Sequence, residues 1–522
     1  MVTRIGAIAL ADFRERRRRA GYLVVLLGTL ALGLLAAPVG DSRWQVFQVT
    51  DLQGRYTSGY VGTVTALGGA VWLSLAGFGI ARGTIVRDEQ SGVGSLLAAT
   101  PLSRIGYLAG KFGSNLLLFG SMLLALAGTA LAVQLVKGDS GRVDVVRLLL
   151  PYVLITLPLL AAVAGCAVLF DTVPGLRGGI GALVWFVVWT ALVLGAQSAG
   201  GADLLGMRRI TASIRETLTA SGRPVDGVEF GVGLTADNRV LGSFDWPGLG
   251  PGEAGGPASV GVLLVGAAVG IALLGALWFR RFDGSAAGLG ARPAEAEAAA
   301  EASASASAAA PAGFALDPAR LTTAREGRTG FDTVLGELRI LVPDRRWWAG
   351  AAAFAAIAAA VAPDRPSHSV LPFAMLWPVL LWSRMGHRAG GGSIDELLGA
   401  CPSPLRRGLA VLLAGVVPAL VVVAVPVLRL VGAGQTRAAG GALAGAVLVP
   451  ALAMLCGAVT RGPRLFQTVY PMLWYGMVNH VSGLDFLGLT GDRAPAPLAV
   501  AGLAAALASA ALALDAIRHA AR

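Results

Sequence analysis

The sequence predicts an all-α polytopic membrane protein of about 12 transmembrane helices, built as two parallel six-helix repeats. Three observations carry that prediction. Of 522 residues, 55% are apolar before the 72 glycines are counted, and only 14% are charged, where soluble proteins carry about 25%. Mean hydropathy is +0.68 over the chain, so lipid rather than water must solvate much of the surface. Landmarks of the first half also recur in the second. This composition excludes a secreted globule, a disordered chain and a protein held by one anchor helix.

A spanning helix needs about 20 mostly apolar residues. Twelve stretches meet that need: 21–40, 60–81, 113–136, 148–170, 178–196 and 259–279, then 347–362, 371–383, 409–431, 440–459, 466–482 and 496–515. The stretches at 347–362 and 371–383 are short. Ionisable residues are nearly absent from mid-depth, with Asp171, Arg429 and Asp515 near the ends. With both termini inside, 28 of the 42 Lys and Arg fall in inside segments, the bias expected of cytoplasmic loops. The chain is therefore expected in the cell membrane, multi-pass, with both ends cytoplasmic.

Residues 1–283 form the first six-helix half and 330–522 the second. Between them, 284–329 is a low-complexity tract rich in Ala, Glu and Ser, which buries no core and behaves as a tether. The outside loop 197–258 is too long for a simple turn. An amphipathic helix near Leu204–Leu218, followed by Phe244 and Trp246, predicts a small external cap. The net charge of +11 favours contact with anionic membrane lipid. No basic patch interleaved with aromatics is present, so nucleic acid is not an expected partner. Cys166, Cys401 and Cys456 share no metal spacing and predict neither a disulfide nor a zinc site. The basic block Arg16–Arg19 leads into an apolar run without a cleavage site, unlike a cleavable signal.

The repeat shows in matched landmarks. Arg87-Asp88-Glu89 and the run Leu96 to Arg104 follow the second span; Asp395-Glu396, Pro402 and Pro404-Leu405-Arg406-Arg407 follow the eighth. Cys166, Pro174, Arg177 and Trp185 are echoed by Cys456, Pro463, Arg464 and Trp474. Each half opens with an amphipathic charged segment, Asp12–Arg19 and Asp332–Arg346. Six spans is an even number, so both halves enter the membrane the same way round, related by an axis along its normal.

The loop Arg82–Lys111 is the most specific stretch. Arg87-Asp88-Glu89, Gly92, Leu96-Leu97, Thr100-Pro101, Ser103-Arg104, Tyr107 and Gly110-Lys111 together resemble the first cytoplasmic loop of ATP-binding-cassette permeases of the type-2 exporter class. The opening Ala11 to Arg16 resembles the interfacial elbow helix of that class, and the long outside loop is similar too. In the second half the likeness is reduced: Asp395-Glu396 and Pro402 remain, while Arg384, His387 and Arg388 stand at altered spacing. The resemblance implies a permease whose loops are gripped by two copies of a cytoplasmic ATPase subunit, with ATP and Mg held on that partner. ATP-driven closure of the pair would rock the halves against each other. The coupling residues it implies are Arg87, Asp88, Glu89, Thr100, Pro101, Ser103 and Arg104, with Asp395, Glu396, Pro402 and Arg406 in the second half. A short surface helix carrying charge on one side and Leu96, Leu97 and Leu102 on the other is suited to transmit force, and its charges to make charge-assisted hydrogen bonds.

No catalytic machinery is expected on this chain, and no cofactor. The nearest approach to a phosphate-binding loop, Gly106 to Gly110-Lys111-Phe112, is one residue short and has Phe where the Mg-binding hydroxyl belongs. His368, His387, His480 and His519 are scattered. An ion-coupled 12-helix secondary transporter is the runner-up, but such transporters need ionisable groups at membrane depth. A membrane scaffold for an extracytoplasmic partner is a third reading. A path between the halves would be lined by Trp72, Trp185, Trp189, Trp377, Tyr470 and Trp474, an aromatic wall suited to a hydrophobic or amphipathic substrate. The same residues equally fit interfacial belts or helix packing.

Overall fold

The computed structural model describes residues 2–36, 44–48, 52–139, 142–197, 203–225, 228–234, 242–249, 255–279, 329–342, 344–360, 370–376, 378–386, 404–479, 483–491 and 494–520. About four-fifths of these are helical. The first half runs α1 (Val2–Arg16), α2 (Ala20–Leu35), β1 (Trp44–Gln48), β2 (Leu52–Gly54), α3 (Ser58–Trp72), α4 (Phe78–Ala81), α5 (Thr84–Gln90), α6 (Val93–Ala98), α7 (Arg104–Lys137), α8 (Val145–Pro151), α9 (Leu157–Thr172), α10 (Gly179–Gln197), α11 (Met207–Ala220), β3 (Glu229–Leu234), β4 (Gly242–Phe244) and α12 (Gly255–Leu274). The second runs α13 (Thr329–Leu341), α14 (Arg345–Ala360), α15 (Leu371–Leu376), α16 (Val379–Trp382), α17 (Pro404–Gly432), α18 (Thr436–Thr460), α19 (Arg464–Val478) and α20 (Pro497–Ala520).

Eight helices among the described residues are long and apolar enough to cross a membrane: Ser58–Gln90, Arg104–Lys137, Val145–Thr172, Gly179–Ala196, Ala258–Leu277, Leu405–Gly432, Thr436–Thr460 and Pro497–Arg518. A ninth is reached if α1 and α2, bent by 81° at Arg17–Arg19, count as one. Large apolar side chains such as Leu27, Leu124, Leu135, Val262 and Leu498 face outward along these helices, a surface that only lipid tolerates. This is a membrane-embedded helical protein. Within the stretches expected at 347–362, 371–383 and 466–482 the described residues are helical but the helices are short. α14 has 16 residues and α19 has 15, with Pro471 inside it. At 1.5 Å per residue, 15 residues span roughly 23 Å against about 30 Å of hydrocarbon.

Two spans are continued through wide π-type turns, Leu73–Gly77 between α3 and α4 and Tyr152–Thr156 between α8 and α9. Such turns free a backbone carbonyl from the regular ladder. Small residues let helices approach closely: a Cβ on Gly165 of α9 would meet the carbonyl oxygen of Ala268 on α12 at 2.5 Å. The halves meet through α19, which lies against α4, the Leu73–Gly77 turn and α10.

The chain caps one end of the bundle. β1 pairs antiparallel with β3, and β2 pairs parallel with β4. α11 buries Met207, Ile210, Ile214 and Leu218. Trp246 is fully buried edge-on to Tyr60 of α3, and its indole N–H donates to Ser213 of α11 at 3.2 Å. The expected helix of the outside loop is thus in place, but two strands of the cap come from residues 44–54, which hydropathy alone did not mark as structured. The low-complexity tract lies, except for Thr329, outside the described residues.

Candidate functional site

Most of the buried charged side chains, Asp12, Arg16, Arg82, Asp88, Lys111 and Asp171, gather at the end of the bundle opposite the cap. On α1, Arg16 pairs with Asp12 one turn earlier at 2.6 Å. The other Asp12 oxygen faces the Lys111 ammonium of α7 at 3.2 Å, and Lys111 reaches Asp88 of α5 at 2.7 Å. Tyr107 donates its hydroxyl to the same Asp88 oxygen at 2.6 Å. Arg16 also donates to Asn115 at 2.6 Å, whose amide donates on to the carbonyl of Ala164 in α9. Lys111 is 3% exposed. One buried network therefore fastens α1, α5, α7 and α9. Burial alone would raise the Asp12 carboxyl, which sits on α1 outside the spans; Arg16 and Lys111 outweigh it and hold the group below its ordinary value.

A second cluster surrounds Asp171 at the end of α9. Its carboxylate accepts the backbone N–H groups of Gly83 and Thr84, each at 2.7–2.9 Å, where the chain turns into α5. Gly83 has φ +78°, a conformation that disfavours any side chain. Arg177 donates to the Asp171 carbonyl at 2.7 Å and pairs with Glu89 at 3.1 Å. Arg82 donates to the carbonyls of Leu176 and Gly178 and lies over the rings of Phe78 and Phe170.

These contacts divide the expected coupling residues. Asp88 is turned inward, Glu89 is paired with Arg177, and Arg87 keeps one guanidinium nitrogen buried without an acceptor. Ser103 caps α7 by accepting from Gly106 N–H at 3.0 Å, and the Thr100 hydroxyl donates to the Leu97 carbonyl. Thr100, Pro101, Ser103 and Arg104 are exposed, beside Leu96 at 70% and Ile105 at 53%. Leu97 and Leu102 instead pack against Ile85, Tyr107 and Phe279. α6 is thus a short element with an anchored inner face and a bare outer one. In the second half Arg406 is exposed at the start of α17; Asp395, Glu396 and Pro402 lie outside the described residues, as do His387, Arg388 and Cys401.

The aromatic candidates behave differently. Trp185 stacks on Phe78 at 4.1 Å and donates its N–H to the carbonyl of Ser74, in the π-type turn. Trp189 donates to the Ser74 hydroxyl at 2.9 Å and meets Tyr475 edge-on at 4.9 Å. Trp474 meets Phe186 at 5.7 Å and donates to the carbonyl of Pro372, while Tyr470 donates to that of Met375. These four residues are brought together at the seam between the halves, where they are buried and hydrogen-bonded. Trp72 lies apart, donating to Thr29 of α2 at 3.2 Å, and Trp377 is outside the described residues. Beside Phe186 the seam holds a crevice bordered by Leu376, Val379, Gln467 and Pro471.

Sequence reasoning missed Lys111, Tyr107 and Asp171 as structural centres. A lysine seven residues into an otherwise apolar helix was the available signal, since burying a charge requires a partner. Among the described residues no group of three His, Cys, Asp or Glu is placed to hold a metal ion. No protein-family model, characterised protein or solved structure matches this chain.

Proposed function

We propose that this chain is the transmembrane permease subunit of an ATP-binding-cassette exporter of the type-2 class, with two six-helix halves fused into about 12 helices. In this reading it moves a hydrophobic or amphipathic substrate across the cell membrane, and both termini are cytoplasmic. Two copies of a cytoplasmic ATPase subunit supply the energy and hold the ATP and Mg. The observation that supports it best is the α5–α6 element. It is fixed to α1, α7 and α9 through Asp88, Lys111 and Asp171, and it presents Leu96, Thr100, Pro101 and Arg104 outward. A push on so rigidly seated an element is delivered to three helices at once. The 81° bend between α1 and α2 fits the elbow that the resemblance implies. The aromatic seam of Trp189, Tyr475, Phe186 and Trp474 is the joint along which the halves would part.

Affinity purification of the tagged full chain from its native membrane tests the reading. The expected result is co-purification of an ABC-type ATPase, lost in Leu96→Asp and weakened in Arg104→Glu, with both variants inserted normally. Isolation without any ATPase, together with substrate movement driven by a proton gradient alone, would overturn it. Asp88→Ala is the poorer probe, because its effect on packing would mix with any effect on the partner.

A further inference from the structure

The bend between α1 and α2 is crowded with arginine. Asp12–Arg19 holds five arginines and two acids, whereas the corresponding opening of the second half, Asp332–Arg346, holds three of each and is neutral. Both acids at the bend are taken. Asp12 pairs with Arg16 and Lys111, and Glu15 is closed on Arg19. Arg14, Arg17 and Arg18 are left over. All three are exposed, and none of their side chains meets a hydrogen-bond or ion-pair partner among the described residues.

Their depth is set by the chain that follows. Ala20–Leu35 carries no charged residue, and α2 leaves α1 at 81°. Leu23 and Leu27, one turn apart on α2, already face outward. α2 thus meets hydrocarbon from its first turn, and the arginines directly before it stand at the level of the headgroups.

α1 is held at that level by its other face. Ala9, Asp12 and Arg16 are buried, and Gly110 and Gly113 of α7 lie against Ile8 and Ala9. The Arg17 N–H donates to the Phe13 carbonyl at 3.0 Å, so helical geometry continues to Arg17. Leu10, Arg14 and Arg17 therefore follow one another along a single exposed face. An apolar side chain among unpaired cations is the pattern of a helix resting on an anionic bilayer. Guanidinium groups match phosphate oxygens in shape and charge. A lipid brings its phosphate to this depth and offers its chains to Leu10, Leu23 and Leu27, which a free anion does not.

We propose that Arg14, Arg17 and Arg18 form a docking surface for the headgroup phosphates of anionic phospholipids, which pin the bend of the first half to the bilayer. The neutral opening of the second half lacks this surplus of charge. The surface is independent of the transport reading.

A fluorescent label at Ala11→Cys reads the lipid beside the bend, in the full chain carrying Cys166→Ser, Cys401→Ser and Cys456→Ser and reconstituted in vesicles. Quenching by brominated phosphatidylglycerol is compared with quenching by brominated phosphatidylcholine. Phosphatidylglycerol should be preferred, and the preference should shrink in 1 M NaCl, where charges are screened beyond about 3 Å. Combining Arg14→Gln, Arg17→Gln and Arg18→Gln should reduce it about fivefold or more, the worth of at least one cation at a charged bilayer surface. The same three positions changed to Lys should keep most of it, and Arg339→Gln on α13 should change nothing. None of the three arginines touches the buried network, so the variants should insert and unfold as the wild type does. Equal quenching by the two lipids in the wild type overturns the proposal. So does an undiminished preference in the triple Gln variant; if that variant instead loses a co-purifying protein, the arginines belong to a protein interface.

Discussion

Each half of the molecule lays an amphipathic helix across the start of a long span and joins the two by an acid and a base, but the joints differ in strength. In the first half Asp12 of α1 meets Lys111 of α7 at 3.2 Å, both nearly inaccessible, and the pair extends to Arg16, Asp88 and Tyr107. In the second, Glu337 of α13 faces Arg407 of α17 at 4.0 Å, with 14% and 26% of the side chains exposed. The same charge pattern is a close, hydrogen-bonded network in one place and, in the other, a long contact from an Arg407 Nε that is itself shielded from water. What separates them is geometry: the first joint is closed by ion pairs of 2.6–3.2 Å, whereas 4.0 Å between Arg407 and Glu337 is too long for a hydrogen bond.

Removing the base from each joint gives the largest contrast. Lys111→Ala leaves the buried Asp88 without its cation and Asp12 with Arg16 alone, and should cost about 3–5 kcal/mol, read as a large fall in the unfolding temperature in detergent. Arg407→Ala, which removes a longer contact, should cost less, about 1–3 kcal/mol. Equal losses would show that the second joint is as tightly coupled as the first. Acid should distinguish them in the same direction. Asp12 is held below its unfolded value, so its contribution is complete above about pH 4 and is lost as pH falls through the folded value. The wild type should thus lose stability below that pH, and Lys111→Ala should lose less over the same interval.

Two glycines sharpen the comparison further. Gly83 and Gly434 both have positive φ, +78° and +74°, but Arg464 stands against the first and nothing is near the second. Both Ala variants should lose about 1 kcal/mol from the backbone. Gly83→Ala should lose more, roughly 1–3 kcal/mol in all, because the guanidinium must also move. The difference in unfolding temperature between them measures how tightly α19 is seated.

The smallest expected effects come from a matched pair of indoles. Trp185 donates to the carbonyl of Ser74 and Trp474 to that of Pro372, each on the neighbouring helix of its own half. Phe at either position removes one donor and should cost about 1 kcal/mol. Similar losses in thermal unfolding would support an equivalent use of the two residues in a duplicated unit. A loss confined to Trp185→Phe would argue against it.

Much of this arrangement was legible in the chain because it depends on local pattern. Apolar runs marked the long helices, the likeness of Ala11–Arg16 to an elbow helix set α1 apart from the span that follows, and the amphipathic stretch near Leu204–Leu218 marked the cap helix. The site was legible only as a neighbourhood. The loop Arg82–Lys111 drew attention, yet nothing in it told that Asp88 turns inward while its neighbour Glu89 reaches Arg177, or that Leu97 is covered while Leu96 is bare. Adjacent residues on a short helix point in different directions, and the direction is set by what packs beneath them.

The sequence by itself determined that this protein lives in a membrane, where its surface helix begins, and that its charges lie outside the apolar runs. These are consequences of transfer free energy, which depends on composition over one or two dozen consecutive residues. Only the tertiary structure decided that Arg464 sits over Gly83, that Lys111 lies between two aspartates, and that Trp44–Gln48 and Leu52–Gly54 pair with strands beyond Ala220. Each joins groups far apart along the chain, and their energy arises from proximity and from the exclusion of water, which no local window contains.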